Sequence, residues 1–435
     1  MLVAEAGAAG FYIAITRGLA PVLLAFLGLG VDDVMLVVLI AYAVALSVLV
    51  VLRGRGIRRL RRSLVLLHGL ERVVWGLLPL AALLGAVATI LVYSLAVSLA
   101  TVTGLLITTT IFSVFDEKGA RRVIAHRSAA SAASNILGQL VAIIVLAAMH
   151  TYSKYIYLYL LASGVGLVAT AILALSRLPL PSSVGAARTS IGGEEEAVSG
   201  TVFLYMVAYM ASAAVLAAAW APYMIHVLGA PDYLAAGLGF VQMVTSIAAS
   251  LYWLRVPYPV YKYAVLALPW IPVAIAASRT PVLHLGLASI YAFSATGANL
   301  LASFLYADLS RRLGAFASST RVAMAAATAQ VVGLSTALAA SRLGLWAVFA
   351  SSAAYAALAA FIALYSLPEI ALVPREQAVV HARRLYMVTS AALGFVIVVS
   401  KRAIILALRV LALVLALSIL LFTYRLLYYL VALPH

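Results

Sequence analysis

LAPVLLAFLG, Leu19 to Gly28, and WAPYMIHVLG, Trp220 to Gly229, decide how this chain is read. Each runs Ala-Pro, five further residues, then Leu-Gly, and Pro21 and Pro222 lie 201 positions apart, as do Gly28 and Gly229. A proline inside a long apolar run is tolerated where a membrane helix has neighbours to satisfy the backbone it frees. A glycine after the last apolar turn is a common helix stop. The phrase therefore reads as the end of a membrane helix, written twice.

The rest of the chain agrees with that reading. Of 435 residues, 66% are hydrophobic and 10% are charged, with a mean hydropathy of +1.13. Soluble domains are about 45–50% apolar and about a quarter charged. Runs of roughly 20 apolar residues recur, each long enough to cross a bilayer as a helix. Barrel strands would alternate polar and apolar over about ten residues, and these runs do not. The predicted class is an all-α polytopic membrane protein. The formal charge of +16 sits in short connectors between apolar runs, where the positive-inside rule puts it, so nucleic acid is not an expected partner. The first run carries Glu5 and no basic leader, so it is expected to be retained as a span. With no cysteine there are no disulfides and no thiolate metal sites. Arginine outnumbers lysine 25 to 4, which fits a heat-loving or GC-rich source.

Spans are expected near 8–29, 33–52, 64–86, 89–113, 128–149 and 155–176, then near 201–228, 233–253, 260–278, 282–306, 320–340 and 343–366. Between the two sets lies a Pro-, Gly- and Ser-rich stretch, residues 177–200. The expected organisation is an N-terminal six-helix bundle (1–176), a cytoplasmic linker (177–200), a C-terminal six-helix bundle (201–366) and a tail (367–435). With the N-terminus in the cytoplasm, twenty arginines and lysines fall on cytoplasmic connectors and three, Lys154, Arg279 and Arg342, on outer ones. That asymmetry supports the span count and an N-in orientation at a plasma membrane. The tail contains further hydrophobic helices. It is open to two more spans, one span with an interfacial helix, or a surface-lying pair.

A second echo strengthens the repeat. Arg127, Ala129, Ala132, Ala133 and Ser134 match Arg321, Ala323, Ala326, Ala327 and Thr328 at a constant offset of 194, each set after a paired arginine, Arg121-Arg122 or Arg311-Arg312. With the Pro-x5-Leu-Gly exits of spans 1 and 7, the basic connector RGRGIRRLRRS and the segment GARRVIAHRSAASAASNILGQ, the chain resembles the major facilitator superfamily over about residues 8–366. The resemblance implies two six-helix bundles in a 6+6 parallel repeat, related by an axis along the membrane normal. It also implies that spans 1, 4, 7 and 10 line a central cavity. The connector between spans 2 and 3 lacks the acidic residue frequent in that family.

Arg17, near the middle of span 1, is the outlying charge. An intramembrane arginine costs roughly 3 kcal/mol on insertion scales and defaults to a functional reading. Its guanidinium offers a planar fork to carboxylate or phosphate, and the sequence suggests no acidic partner inside the spans. The structural alternative has Arg17 bonding carbonyls or water. Polar residues fall into stripes at helical spacing: Ser94, Ser98, Thr101 and Thr108; Tyr205, Tyr209, Ser212 and Tyr223; Ser289, Thr296, Asn299, Ser303 and Tyr306. Such stripes line a cavity or let helices pack closely. The candidate solute contacts are Arg17, Tyr12, Tyr209, Asn299, Thr296 and Ser303. The candidate gating residues are Arg121, Arg122, Arg311 and Arg312. Glu71 and Arg72 are expected to pair near the cytoplasmic face. Asn135, Gln139, Gln242 and Gln330 are expected to bond between helices.

No P-loop, HExxH pair or acidic cluster occurs, so no cofactor, metal or enzymatic activity is expected. The expected function is secondary transport of a small organic solute, anionic or amphiphilic, by rocker-switch alternating access. A flippase for lipids or lipid-linked glycans, of the multidrug/oligosaccharide exporter type, is the alternative. A non-transporting membrane complex subunit is a second. The expected partners are membrane lipid and the solute, with the oligomeric state open.

Overall fold

The computed structural model describes residues 1–149, 151–176, 183–184, 193–230 and 232–387, without the side chains of 25, 31, 54, 55, 117, 121, 183, 184, 193–196, 232, 233, 236 and 310–312. The chain divides into two compact units, Met1–Ala382 and Arg383–His435. Of the second unit only 383–387 is described, and it is helical. The hydrophobic helices expected beyond it lie outside the described residues.

The first unit is helical. Its elements are α1 (Leu2–Phe26), α2 (Val31–Arg55), α3 (Leu60–Gly76), α4 (Leu78–Leu83), α5 (Ala86–Val114), α6 (Glu117–Ala148) and α7 (Ser153–Leu175). These are followed by α8 (Gly193–His226), α9 (Asp232–Trp253), α10 (Tyr261–Ala267), α11 (Trp270–Ala277), α12 (Leu283–Leu313), α13 (Ala315–Ser341) and α14 (Leu345–Ser366). Among the described residues, ten segments are long and apolar enough to cross a membrane. Several helices outrun the expected spans, because apolar runs mark the lipid-facing part of a helix while its backbone ladder continues into polar flanks. Thus α6 starts at Glu117, capped by Asp116, whose side chain accepts from the Gly119 amide at 2.9 Å. Likewise α8 starts at Gly193, within the stretch expected to be linker. The rest of that stretch contributes a two-residue strand, β2 (Ser183–Val184), paired antiparallel with β1 (Ile57–Arg58).

The quoted phrases form matching exits. Pro21 and Pro222 lie inside α1 and α8, and Gly28 and Gly229 follow at φ +87° and +63°. That left-handed region suits glycine and lets the chain fold back onto the last carbonyls. Leu29 N donates to Leu24 O, and Ala230 N to Met224 O. A further correspondence escaped the sequence matching. The third helix of each set is broken at a proline, α3 from α4 before Pro79 and α10 from α11 at Pro269. Proline cannot donate to the helical ladder and clashes with the preceding turn.

Packing follows small residues. Helix α1 lies against α6 and α7, and α8 against α13 and α14. At the α1–α6 crossing a Cβ on Gly138 would stand 2.7 Å from the Phe11 carbonyl oxygen. At the α8–α13 crossing a Cβ on Gly333 would stand 2.7 Å from that of Ala211. Glycine allows these backbones to approach, the usual device where lipid supplies no hydrophobic drive between helices. The second echo also has a structural meaning. Arg127 of α6 donates to Leu2 O at 2.7 Å and to Glu5 Oε2 at 2.5 Å on α1, while Arg321 of α13 donates to Ser199 Oγ on α8. Each arginine ties its helix to the first turns of a partner.

The earlier helices meet the later ones chiefly where α13 packs on α2 and α5 and where α6 packs on α9, with smaller contacts of α2 with α8 and of α6 with α12. The first is sealed by an apolar cluster in which Leu49, Leu60, Leu64, Leu105 and Leu106 meet Phe316 and Ala327. This cluster sits at the end bearing the basic α2–α3 connector. A second cluster, around Leu23, Val34, Trp75 and Tyr155, draws only on helices α1–α7.

Candidate functional site

Arg17 projects from α1 one turn before Pro21. Pro21 has no N–H to return to the Arg17 carbonyl, so the helical ladder is interrupted at that level. The Arg17 side chain is 39% exposed, in a helix whose neighbouring turns are buried. Its Nη2 donates to Glu71 Oε1 at 2.7 Å. The expectation of an arginine without an acidic partner is thereby corrected. Glu71 lies in α3, fully buried, and the α1–α3–α7 packing brings it inward.

Glu71 also faces Arg72, with Nη1 2.6 Å from Oε2. The expected Glu71–Arg72 pair is real, but it is buried in the helix bundle and shared with Arg17. The Arg72 contact is close but misaligned, so Arg72 Nε and Nη1 and Glu71 Oε2 have no hydrogen-bond partner. Arg72 stacks its guanidinium on Tyr12, 4.3 Å from the ring centroid, and its Nη2 approaches His68 Nε2 at 2.8 Å. His68 in turn meets Glu5 Oε1 at 3.1 Å through Nε2 and Thr170 Oγ1 at 2.7 Å through Nδ1. Glu5 closes the chain on Arg127. The result is a continuous line of ionisable groups, Arg127–Glu5–His68–Arg72–Glu71–Arg17, contributed by α1, α3 and α6. Three guanidiniums face two carboxylates, which leaves one positive charge over, and its exposed end is Arg17.

Sequence reasoning passed over His68, Glu5 and Arg127 as participants. A signal was present: His68, Glu71 and Arg72 stand at i, i+3 and i+4, one face of a helix. The contribution of Glu5, 63 residues from His68, required the tertiary fold.

The other candidates divide. Tyr12 is fully buried and its hydroxyl donates to Glu71 O at 3.3 Å. Tyr209 is buried, stacks on Tyr205, and donates to Ala295 O at 3.0 Å. Both tyrosines tie helices together. Asn299 is exposed, with Thr296 and Ser303 half-buried beside it. Leu283 and Ile290, on the same helix, are 60% and 55% exposed and belong on its lipid side. Asn299 lies nine positions beyond Ile290, about half a turn round the α12 axis. Its exposed face therefore points away from lipid, into the bundle. Ser303 Oγ donates back to Asn299 O at 2.8 Å. Of the α5 stripe, Ser94 and Ser98 are buried, which is the packing reading.

Among the gating candidates, Arg122 is exposed near the start of α6, and its carbonyl is 2.7 Å from His126 Nδ1. The side chains of Arg121, Arg311 and Arg312 lie outside the described residues. Among the described residues no group of three or more His, Asp or Glu could hold a metal.

No protein-family model and no curated protein matches the chain. Solved structures do. A bacterial homologue of the iron transporter ferroportin, in an outward-facing state, aligns with TM-score 0.60 at 12% identity, covering 83% of this chain and 97% of that one. The human organic anion transporter MFSD10 (TETRAN) aligns with TM-score 0.59 at 15% identity, covering 83% and 97%. The nucleoside transporter NupG aligns with TM-score 0.60 at 14% identity, covering 83% and 98%. The chain has the major facilitator fold.

Proposed function

We propose that this chain is a secondary transporter that carries a small organic anion, or an amphiphile with an anionic group, across the membrane. The observation that carries the proposal is Arg17: a half-exposed guanidinium in mid-helix, the open end of a buried array with one surplus positive charge. Such a group recognises carboxylate or phosphate. Asn299, Thr296 and Ser303, on the inward face of α12, supply the opposing polar wall, with Tyr12 and Tyr209 fixing the helices behind each wall. The bundles 1–176 and 201–366 rock about this site, opening it to either side in turn. The α2–α13 and α6–α9 contacts are the surfaces on which they move, and Arg121, Arg122, Arg311 and Arg312 gate the basic end. The N-terminus is cytoplasmic, by the distribution of connector charge, in a plasma membrane. The fold likeness to transporters supports this reading over the flippase and the silent subunit.

The test is thermal unfolding of the purified protein in detergent against a panel of organic anions, sugars and lipid precursors, with Arg17→Ala in parallel. A ligand bound only by the folded state adds about 2.7 kcal/mol at a hundredfold excess over Kd. An anion that raises the midpoint of the native protein but not of Arg17→Ala supports the proposal. A response confined to lipid precursors and indifferent to Arg17 favours the flippase. A crosslink between the outer ends of α1 and α8 should stop flux, and unchanged flux would sink the rocking motion.

A further inference from the structure

His68 is asked for two different things by one atom. Arg72 Nη2 stands 2.8 Å from His68 Nε2, and a guanidinium can only donate, so it calls for a bare Nε2. Glu5 Oε1 stands 3.1 Å from the same Nε2, and a carboxylate accepts, so it calls for Nε2–H. The other ring nitrogen is committed. Thr170 Oγ1, itself donating to Gly166 O, is 2.7 Å from Nδ1 and takes its proton. Two protonation states therefore fit one cage. In the neutral ring Nδ1–H binds Thr170 and Nε2 accepts from Arg72. In the charged ring Nδ1–H still binds Thr170 and Nε2–H binds Glu5.

We infer that His68 is a proton-binding site of the carrier and that its proton binds cooperatively with an anion at Arg17. This rests on Arg17 as the solute site. The coupling runs through Glu71. A proton taken from water by Nε2 removes the acceptor from Arg72 Nη2 and sets a cation beside it. Arg72 holds two buried donors in reserve, Nε and Nη1, with Nη1 already 2.6 Å from Glu71 Oε2. Turning onto Glu71 satisfies them and loosens Glu71 from Arg17. Arg17 is then free to hold the carboxylate or phosphate of the solute. By linkage the reverse holds: an anion on Arg17 releases Glu71 to Arg72, and His68 keeps its proton. From Glu5 to Arg17 the array runs about 18 Å along α1, at 1.5 Å per residue.

The groups that face His68 are few. Glu5 of α1 and Arg72 of its own helix touch the ring, Arg127 of α6 acts through Glu5, Tyr12 lies under the Arg72 guanidinium, and Glu71 and Arg17 follow in turn beyond Arg72. Helix α7 offers the hydroxyl of Thr170, its Lys154, Tyr155, Tyr157 and Tyr159 lying in the earlier turns of that helix, and α5 has Tyr93 as its one ionisable side chain.

Neutralising Arg17 by substitution acts on His68 with the same sign as neutralising it with an anion, so the test needs no identified solute. The protein, with 7 histidines, is labelled with 15N at the rings and purified in detergent, and His68→Gln assigns the His68 signals. At pH 6 the charged-to-neutral ratio of His68 should rise roughly threefold or more in Arg17→Gln, because removing a nearby cation favours the charged ring. It should fall in Glu5→Gln. Arg17 is part-exposed, so its variant is expected to fold, and the other histidine signals check that. A His68 ring that stays neutral from pH 5 to 8, or the same ratio in Arg17→Gln as in wild type, overturns the inference. A panel of anions that leaves thermal unfolding unmoved instead sinks Arg17 as the solute site, and the two failures are read separately.

Discussion

Replacing Glu71 with glutamine should destabilise the protein far more than an ordinary loss of one surface charge. Glu71 is fully buried between two guanidiniums, at 2.7 Å from Arg17 and 2.6 Å from Arg72. The two partners suffer unequally. Arg17 is part-exposed and turns to water, so its pairing contributes about 0–1 kcal/mol. Arg72 has a side chain only 3% exposed and has nowhere to go. Breaking a buried pair by removing one partner costs about 3–5 kcal/mol, because the survivor is left as an uncompensated buried charge. The loss in Glu71→Gln should therefore fall near 3–5 kcal/mol, almost all of it from Arg72. The double variant Glu71→Gln/Arg72→Gln removes both charges and should recover part of that loss, with a coupling energy of about 1–3 kcal/mol. Arg17→Gln alone should cost about 1 kcal/mol or less. The assay is reversible unfolding in mixed micelles, with wild type, Glu71→Gln, Arg72→Gln, the double variant and Arg17→Gln compared in one detergent. The reasoning fails if Glu71→Gln is as stable as wild type, or if the double variant is less stable than the sum of its two singles.

Three further outcomes follow from the geometry. Gly138→Val at the α1–α6 crossing should cost about 1–3 kcal/mol or prevent folding, whereas Gly104→Ala in α5, with open space around its Cβ position, should stabilise by about 0.5–1 kcal/mol; equal effects on the unfolding midpoint would contradict the close-approach reading. Arg127→Gln leaves the buried Glu5 without its cation, so it should lower the unfolding midpoint by more than Arg122→Gln, an exposed arginine of the same helix, and the reverse order would count against the charged array. Burial raises the Glu369 carboxyl above the ordinary 4.5, with Asp308 adding to the rise and Arg375 opposing it. A raised acid favours the folded state below its unfolded value and loses that contribution as pH climbs through the folded one. Glu369→Gln should therefore match wild type near pH 4 and be the more stable protein near pH 8, which thermal unfolding at the two pH values checks.

The membrane class could be read from the chain because bilayer thickness sets the length of an apolar run, and each run declares itself without reference to any other; of the twelve spans expected, ten segments among the described residues are long and apolar enough to cross. The exits at Gly28 and Gly229 were legible for the same reason: a stop is written in residues adjacent along the helix. Arg17 stood out because a charge in an apolar run is a local anomaly. Its partner did not, since Glu71 lies 54 residues away, and the sequence gives no distance between turns of different helices. Glu71 and Arg72 were read as a neighbouring pair, which they are. That the pair is turned inward onto Tyr12 and Arg17 depends on how α3 packs against α1 and α7. Whether a serine or tyrosine stripe faces water or a neighbour was undecidable from spacing, because small polar residues serve close helix packing and cavity lining alike. Only tertiary packing separates buried Ser98 and Tyr209 from exposed Asn299. The sequence determined what each helix is, because helix formation and membrane insertion are local. The fold decided which charges meet, because electrostatic partnership depends on distances that exist only after the helices pack.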